Sequence, residues 1–222
     1  MYYNYINWKI IVMVDINDMK IFDKHREKQL LNYNKIDITY YKLPRELDIH
    51  NSSFIYGEVN SKDIINIIKM INSKEEDNSI TNFLDIGSGC GKLVLSIVLQ
   101  CNELYGTGIE IHKERYEYGM NILDTYGDYF ENINSNIHEN VEFINEDFMK
   151  IYFGNYDCLY CCNLVFTKED NKKLYSKILH EFTGYVILFN YNYELQPYLR
   201  ETYVVNTSWE KKVSIFLFYI KK

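Results

Sequence analysis

The spacing of apolar residues changes along the chain and marks out its elements. Ile64, Ile67, Ile68 and Ile71 recur at i, i+3, i+4 and i+7, which predicts an amphipathic helix with Ser61 as its cap. From residue 82 onward, short apolar runs alternate with longer helical ones. Strands are expected at Asn82–Ile86, Leu104–Ile109, Val141–Ile144, Tyr156–Cys162 and Tyr185–Phe189, and helices at Leu93–Leu99, Lys113–Leu123 and Lys168–Phe182. Thr167 with Asp170 three residues on forms an approximate capping box for the last of these helices. Tyr126–Asn140 is polar and Asn-rich and reads as an insert. Thr202–Val205 and Val213–Ile220 read as a closing antiparallel pair. Strand and helix in alternation imply an α/β fold, a mostly parallel sheet with helices on both faces. Ahead of it, residues 1–50 read as a small extension with strands at Trp8–Val14 and Ile36–Tyr41 and a helix at Asp23–Leu31. Pro44 and His50-Asn51-Ser52-Ser53 close that extension, which leaves 51–222 as the main domain.

Composition narrows the class. The 222 residues are 47% hydrophobic, enough for a packed core, and no run of about 18 apolar residues predicts a membrane span. Met1-Tyr2-Tyr3-Asn4-Tyr5 lacks the layout of a signal peptide. Five cysteines, an odd number, suggest reduced thiols and an intracellular home. Cys158, Cys161 and Cys162 have no second pair or His cluster beside them, so no metal site is expected. The net charge of −7 argues against a nucleic-acid surface built on overall charge. The acidity is local: between Glu110 and Asp147 ten acidic residues face only Lys113 and Arg115.

The chemistry concentrates in Phe83-Leu84-Asp85-Ile86-Gly87-Ser88-Gly89-Cys90-Gly91-Lys92. A strand, a glycine turn and a helix start follow one another there. Glycines allow a sharp turn and close approach to a ligand, and the helix start supplies unpaired N–H groups. The Gly-x-Gly-x-Gly spacing is not the Gly-x-Gly-x-x-Gly of dinucleotide sites, and no Walker lysine pattern is present. Asp85 two positions ahead gives the D-x-G-x-G-x-G form, which resembles motif I of Rossmann-like methyltransferases that use S-adenosylmethionine (SAM). The fold class implied is a Rossmann-like seven-stranded sheet.

Ligands of such sheets lie at the carboxyl ends of the strands. The second strand ends on Glu110, whose carboxylate suits a ribose diol. The third ends on Asp147-Phe148, an acceptor for an adenine amine and an aromatic cover for the base. The fourth ends on Cys162-Asn163-Leu164-Val165-Phe166. Amine methyltransferases often carry Asn/Asp-Pro-Pro-Tyr/Phe there; both prolines are absent here. Asn163 reads equally as an acceptor for the substrate amine and as a turn residue ahead of Thr167.

Tyr56-Gly57-Glu58, motif I, Tyr105-Gly106 leading to Glu110, Glu146-Asp147-Phe148, Asn163–Phe166, and Trp209 followed by Val213-Ser214 together resemble the Disruptor-of-telomeric-silencing (Dot-one) class. These are histone lysine methyltransferases without a SET domain, and the resemblance spans roughly residues 50–220. It implies that Tyr56 and Glu58 close over the cofactor, and that Asp85, Gly87, Gly89 and Gly91 hold its methionine end. Glu110 would take the ribose, and Asp147 with Phe148 the adenine. Tyr56, Asn163 and Trp209 would serve the acceptor, with Trp209 lining a lysine channel. The departures fall mainly in that channel: Val59, Cys162 and Ile215, with Phe216 next to it, stand where the family has other residues, and Lys92 replaces a Gln. Val59, Ile215, Phe216 and Trp209 fit an apolar channel. The expected activity is methyl transfer from SAM to an amine, foremost a protein lysine, with histone or nucleosome less favoured at this net charge. A small-molecule methyltransferase and a SAM-binding module without turnover stand as the alternatives.

Overall fold

The computed structural model describes residues 59–74, 79–101, 103–131, 133–207 and 209–222. The elements expected within residues 1–50 lie outside the described residues. In chain order the described elements are α1 (Ser61–Lys74), β1 (Asn82–Ile86), α2 (Lys92–Gln100), β2 (Tyr105–Ile109), α3 (Lys113–Glu131), α4 (Ile137–Asn140), β3 (Val141–Ile144), β4 (Cys158–Cys161), α5 (Lys168–Glu181), β5 (Gly184–Leu188), β6 (Leu199–Val205) and β7 (Val213–Ile220).

The sheet has seven strands in the order β3-β2-β1-β4-β5-β7-β6. The first five are mutually parallel, and β7 runs antiparallel to both β5 and β6. Side chains alternate between faces with period two. Phe83, Tyr160, Ile187, Ile215 and Leu217 pack on the side of α1 and α2. Leu84, Ile86, Leu159, Val186 and Phe218 pack on the side of α5, against Leu174 and Ile178. Both faces are therefore apolar, which is why the strands read as continuous hydrophobic runs. Strand order reverses between β1 and β4, so a crevice opens at their carboxyl ends.

Two expectations need correction. Ser61 is the first helical residue of α1; the cap is Asn60, whose Oδ1 accepts the Lys62 N–H at 3.2 Å. An amide oxygen one residue earlier reaches an orphan N–H more directly. The Tyr126–Asn140 insert is largely helical, because α3 continues to Glu131 and α4 follows. Its polar composition concealed helical spacing: Ile122 and Phe130 are buried, with Tyr126 packed against the same core. Asn134 then ties the turn down by donating to the Val98 carbonyl at 3.0 Å. Thr167 does cap α5, its hydroxyl accepting the Asp170 N–H at 3.1 Å.

Gly91 combines a φ of 73° with a Cβ position that would fall 2.1 Å from the Phe143 ring. Strain and overlap act together at this point. Gly91→Ala is expected to cost about 2–4 kcal/mol, read as a lower urea midpoint at unchanged m-value.

Candidate cofactor and acceptor site

A cavity of about 420 Å³ opens at the carboxyl edge of β1, β2, β3 and β4. That volume falls in the range of small-molecule sites. The glycine turn builds one wall. Gly87 and Ser88 both donate their N–H groups to the Ile109 carbonyl at 2.9 Å, which pins the turn to the end of β2. Gly87 has φ 79° and nothing within 4 Å of a built Cβ, so it faces open space in the cavity.

Glu110 is 5% exposed and both of its carboxylate oxygens are fixed. Oε2 accepts the Gly89 N–H at 2.8 Å, and Oε1 accepts the His112 N–H at 2.8 Å. A carboxylate offers about four lone-pair sites, so capacity remains for a diol. Asp85 lies beside it, buried, in the same wall. Burial foremost, then the negative charge of Glu110, pushes its carboxyl up to about 8. A buried acid next to a second acid is a place prepared for a cation.

At the exit of β3, Asp147 caps a short turn, its Oδ1 accepting the Met149 N–H at 2.9 Å. Phe148 stacks on Phe166 with centroids 6.0 Å apart and an interplanar angle of 24°. Ile111 borders the same part of the cavity although it is 58% exposed. These three apolar groups and Asp147 line the cavity together.

The opposite end is held by the β6–β7 hairpin. Trp209 borders the cavity and is 44% exposed, with its ring 6.3 Å from that of Phe189. Val59 forms an antiparallel bridge with Thr207, and Asn60 donates its N–H to the Asn206 carbonyl at 2.8 Å. Asp63 accepts the Asn206 N–H at 3.0 Å. Tyr160 and Cys162 complete this end. Burial, then the charge of Asp85, pushes the Cys162 thiol up to about 12, so it stays protonated.

Several expected site residues behave differently. Gly89 and Gly91 do not border the cavity: Gly89 gives its N–H to Glu110, and Gly91 makes room for Phe143. Asn163 is fully buried and also does not border it. Its Oδ1 accepts the N–H groups of Phe189 and Asn190, both at 3.0 Å. Its Nδ2 donates to Asn171 Oδ1 at 2.6 Å and to the Tyr175 hydroxyl at 2.9 Å. Backbone N–H groups only donate, so the amide orientation is fixed and every valence of its side chain is used. Asn163 therefore holds the end of β4 and has no group left for an acceptor. Ile215 and Phe216 do not line the cavity either, because the antiparallel pairing of β7 turns one into each core face. Tyr56 and Glu58 lie outside the described residues.

Ile111, Tyr160, Ser88, Lys92, Arg115 and Asp170 are cavity residues that the sequence motifs did not assign. Ile111 left a trace, a lone apolar residue within a charged turn. Tyr160 left none, since its place beside Asp85 follows from the register of β4 on β1. Among the described residues there is no group of three His, Cys, Asp or Glu able to hold a metal, and no helix is long and apolar enough to cross a membrane.

Solved structures share this architecture. An RNA methyltransferase from Salinibacter ruber, in complex with S-adenosyl-L-homocysteine, superposes with TM-score 0.52 at 14% identity over 72% of this chain and 92% of that one. Magnesium protoporphyrin IX methyltransferase from Synechocystis, with bound SAM, superposes with TM-score 0.54 at 11% identity over 72% of this chain and 79% of that one. At such identities the likeness establishes the fold. No curated protein matches the chain. The sequence model described as "Histone methylation protein DOT1" matches residues 44–190, well over half of the chain and all of β1 to β5. The chain belongs to the DOT1 histone methylation protein family.

Proposed function

We propose that this chain is a SAM-dependent methyltransferase whose acceptor is a lysine amine of a protein. The observation that carries the reading is the Glu110 carboxylate, oriented by two backbone N–H groups into the cavity beside buried Asp85. When bound, the cofactor supplies a methyl group already activated by a sulfonium. Asp85 would take its ammonium, Glu110 the ribose hydroxyls and Asp147 the adenine amine. Phe148, Phe166 and Ile111 would cover the base. Tyr56 and Glu58, by resemblance to the family, would close over the site.

The acceptor end asks little acid–base chemistry of the protein. A lysine amine has an unperturbed pKa of about 10.4, and an apolar wall lowers it by disfavouring the charged form. Val59, Trp209 and the ring of Tyr160 form such a wall. Burial holds the Tyr160 phenol well above its ordinary value, so it stays neutral there. Alignment and exclusion of water then provide most of the rate. The net charge of −7 repels DNA, which favours a polypeptide free of DNA over a nucleosome.

Calorimetry with S-adenosylhomocysteine and labelled-methyl transfer to nucleosomes, free histones and whole lysate test the reading together. Cofactor binding with label on lysine, stronger on free protein than on nucleosomes, is expected. Absence of cofactor affinity sinks the whole reading. Binding without transfer to any pool leaves a cofactor-binding module, and label confined to small molecules redirects the acceptor.

A further inference from the structure

Beyond β5 the chain climbs out of the core on a step of aromatic rings. Phe216 lies 6.5 Å from buried Phe218, and Tyr191 meets Phe216 at 5.1 Å and 65°. Tyr193 meets Tyr191 edge-on, at 5.4 Å and 90°, and is 81% exposed. On the same sheet face β6 pairs Thr202 with Phe216 and Val204 with Ser214. Thr202 and Ser214 are exposed, and Val204 is 62% exposed, so this corner of the sheet stays open.

The step is tied by one hydrogen bond to the turn that carries a cavity-lining residue. Asn190, next to Tyr191, donates through Nδ2 to the Asn163 carbonyl at 2.8 Å. Asn163 starts the turn that carries Leu164, which borders the cavity and is 40% exposed. From Phe189 to Leu199 the only charged side chain is Glu194. Aromatic faces attract cations, and a carboxylate beside them strengthens that attraction.

We propose that the Tyr191–Tyr193 step docks the basic polypeptide segment flanking the acceptor lysine, with Lys or Arg side chains resting on the two rings. This rests on the cofactor-and-acceptor reading of the cavity. A polyanionic strand fits less well: Glu194 and the net charge of −7 repel phosphate, and rings meeting edge-on offer no ladder for stacked bases. Tyr193 is so exposed that its loss leaves the core untouched, and its substitution reports on binding.

The test uses the whole protein and fluorescein-labelled alternating Gly-Lys, Gly-Arg and Gly-Glu peptides, with labelled oligo-dT as a fourth probe. Fluorescence polarisation is expected to show binding of the Lys and Arg peptides and not of the Glu peptide. Tyr193→Ala should weaken that binding about fivefold, and Tyr193→Phe should keep it within about twofold, since the ring face remains. Affinity for S-adenosylhomocysteine should be the same in all three proteins. Equal peptide binding by Tyr193→Ala, or binding of the Glu peptide or oligo-dT as tight as that of the Lys peptide, overturns the docking surface while cofactor binding stands. Peptide binding as expected with no cofactor affinity overturns the catalytic reading and leaves the surface.

Discussion

Asp85→Asn is expected to weaken cofactor binding about a hundredfold at pH 8 and, in the same protein, to stabilise the fold. The carboxyl has an ordinary value of 3.8 in the unfolded chain and about 8 in the fold, raised by burial and by Glu110. Between those values the folded protein holds a proton that the unfolded chain has released. Stability is therefore full below about pH 4 and declines as pH rises toward 8. At pH 7 the penalty is on the order of 4 kcal/mol. An amide carries no such penalty, so Asp85→Asn should unfold at higher urea near pH 7 and lose the advantage at pH 4.

The same shift makes a binding prediction. An ammonium needs the ionised carboxylate, and below pH 8 the carboxyl is mostly protonated. Cofactor association should then rise about tenfold per pH unit toward 8 and release nearly one proton at pH 7. Above that pH the Asp85 carboxyl is already ionised and the rise ends. Calorimetry with S-adenosylhomocysteine at pH 7, in buffers of contrasting ionisation enthalpy, reads the proton directly. Asp85→Asn should release none and bind about a hundredfold more weakly at pH 8, the scale of an unpaired buried charge. Proton-neutral binding by the unmodified protein would end the assignment of Asp85 to the ammonium.

Asn163→Ala is the second large effect. It leaves the N–H groups of Phe189 and Asn190, the Tyr175 hydroxyl and the Asn171 amide oxygen without their common partner. A loss of about 3–5 kcal/mol follows from buried groups left unsatisfied. The turn that presents Leu164 and Phe166 to the cavity loses its anchor as well, so methyl transfer should fall at least about tenfold. Asn163→Asp keeps the oxygen facing the two N–H groups but sets a second oxygen against Asn171 Oδ1. It should recover roughly half of the stability. An Asn163→Ala protein with an unchanged urea midpoint would show that the amide is dispensable.

Much of this molecule is legible from local patterns. The boundaries of β1, β3 and β7 follow from apolar runs bounded by polar turns, and α5 from Thr167 and its apolar stripe. The cavity residues Asp85, Glu110 and Asp147 were legible because each closes a strand: Asp85 and Glu110 sit within two residues of a strand end, and Asp147 follows β3 closely. Position along the sheet is set by local sequence there, so a motif and a place coincide.

What the sequence determined by itself is the succession of strands and helices, the glycine turn and the acids at the strand ends. Those depend on backbone geometry and on neighbours a few residues away. Only the tertiary structure decided which residues face the cavity at its Trp209 end. Tyr160 stands beside Asp85 because β4 pairs with β1 in one register, and Trp209 lines the same cavity as Val59 because a hairpin bridges back to the start of α1. Asn163 was drawn inward for the same reason, since four groups distant in sequence converge on its amide. Side-chain direction in a sheet flips with a shift of one residue, and that register is fixed by partners the local sequence does not contain.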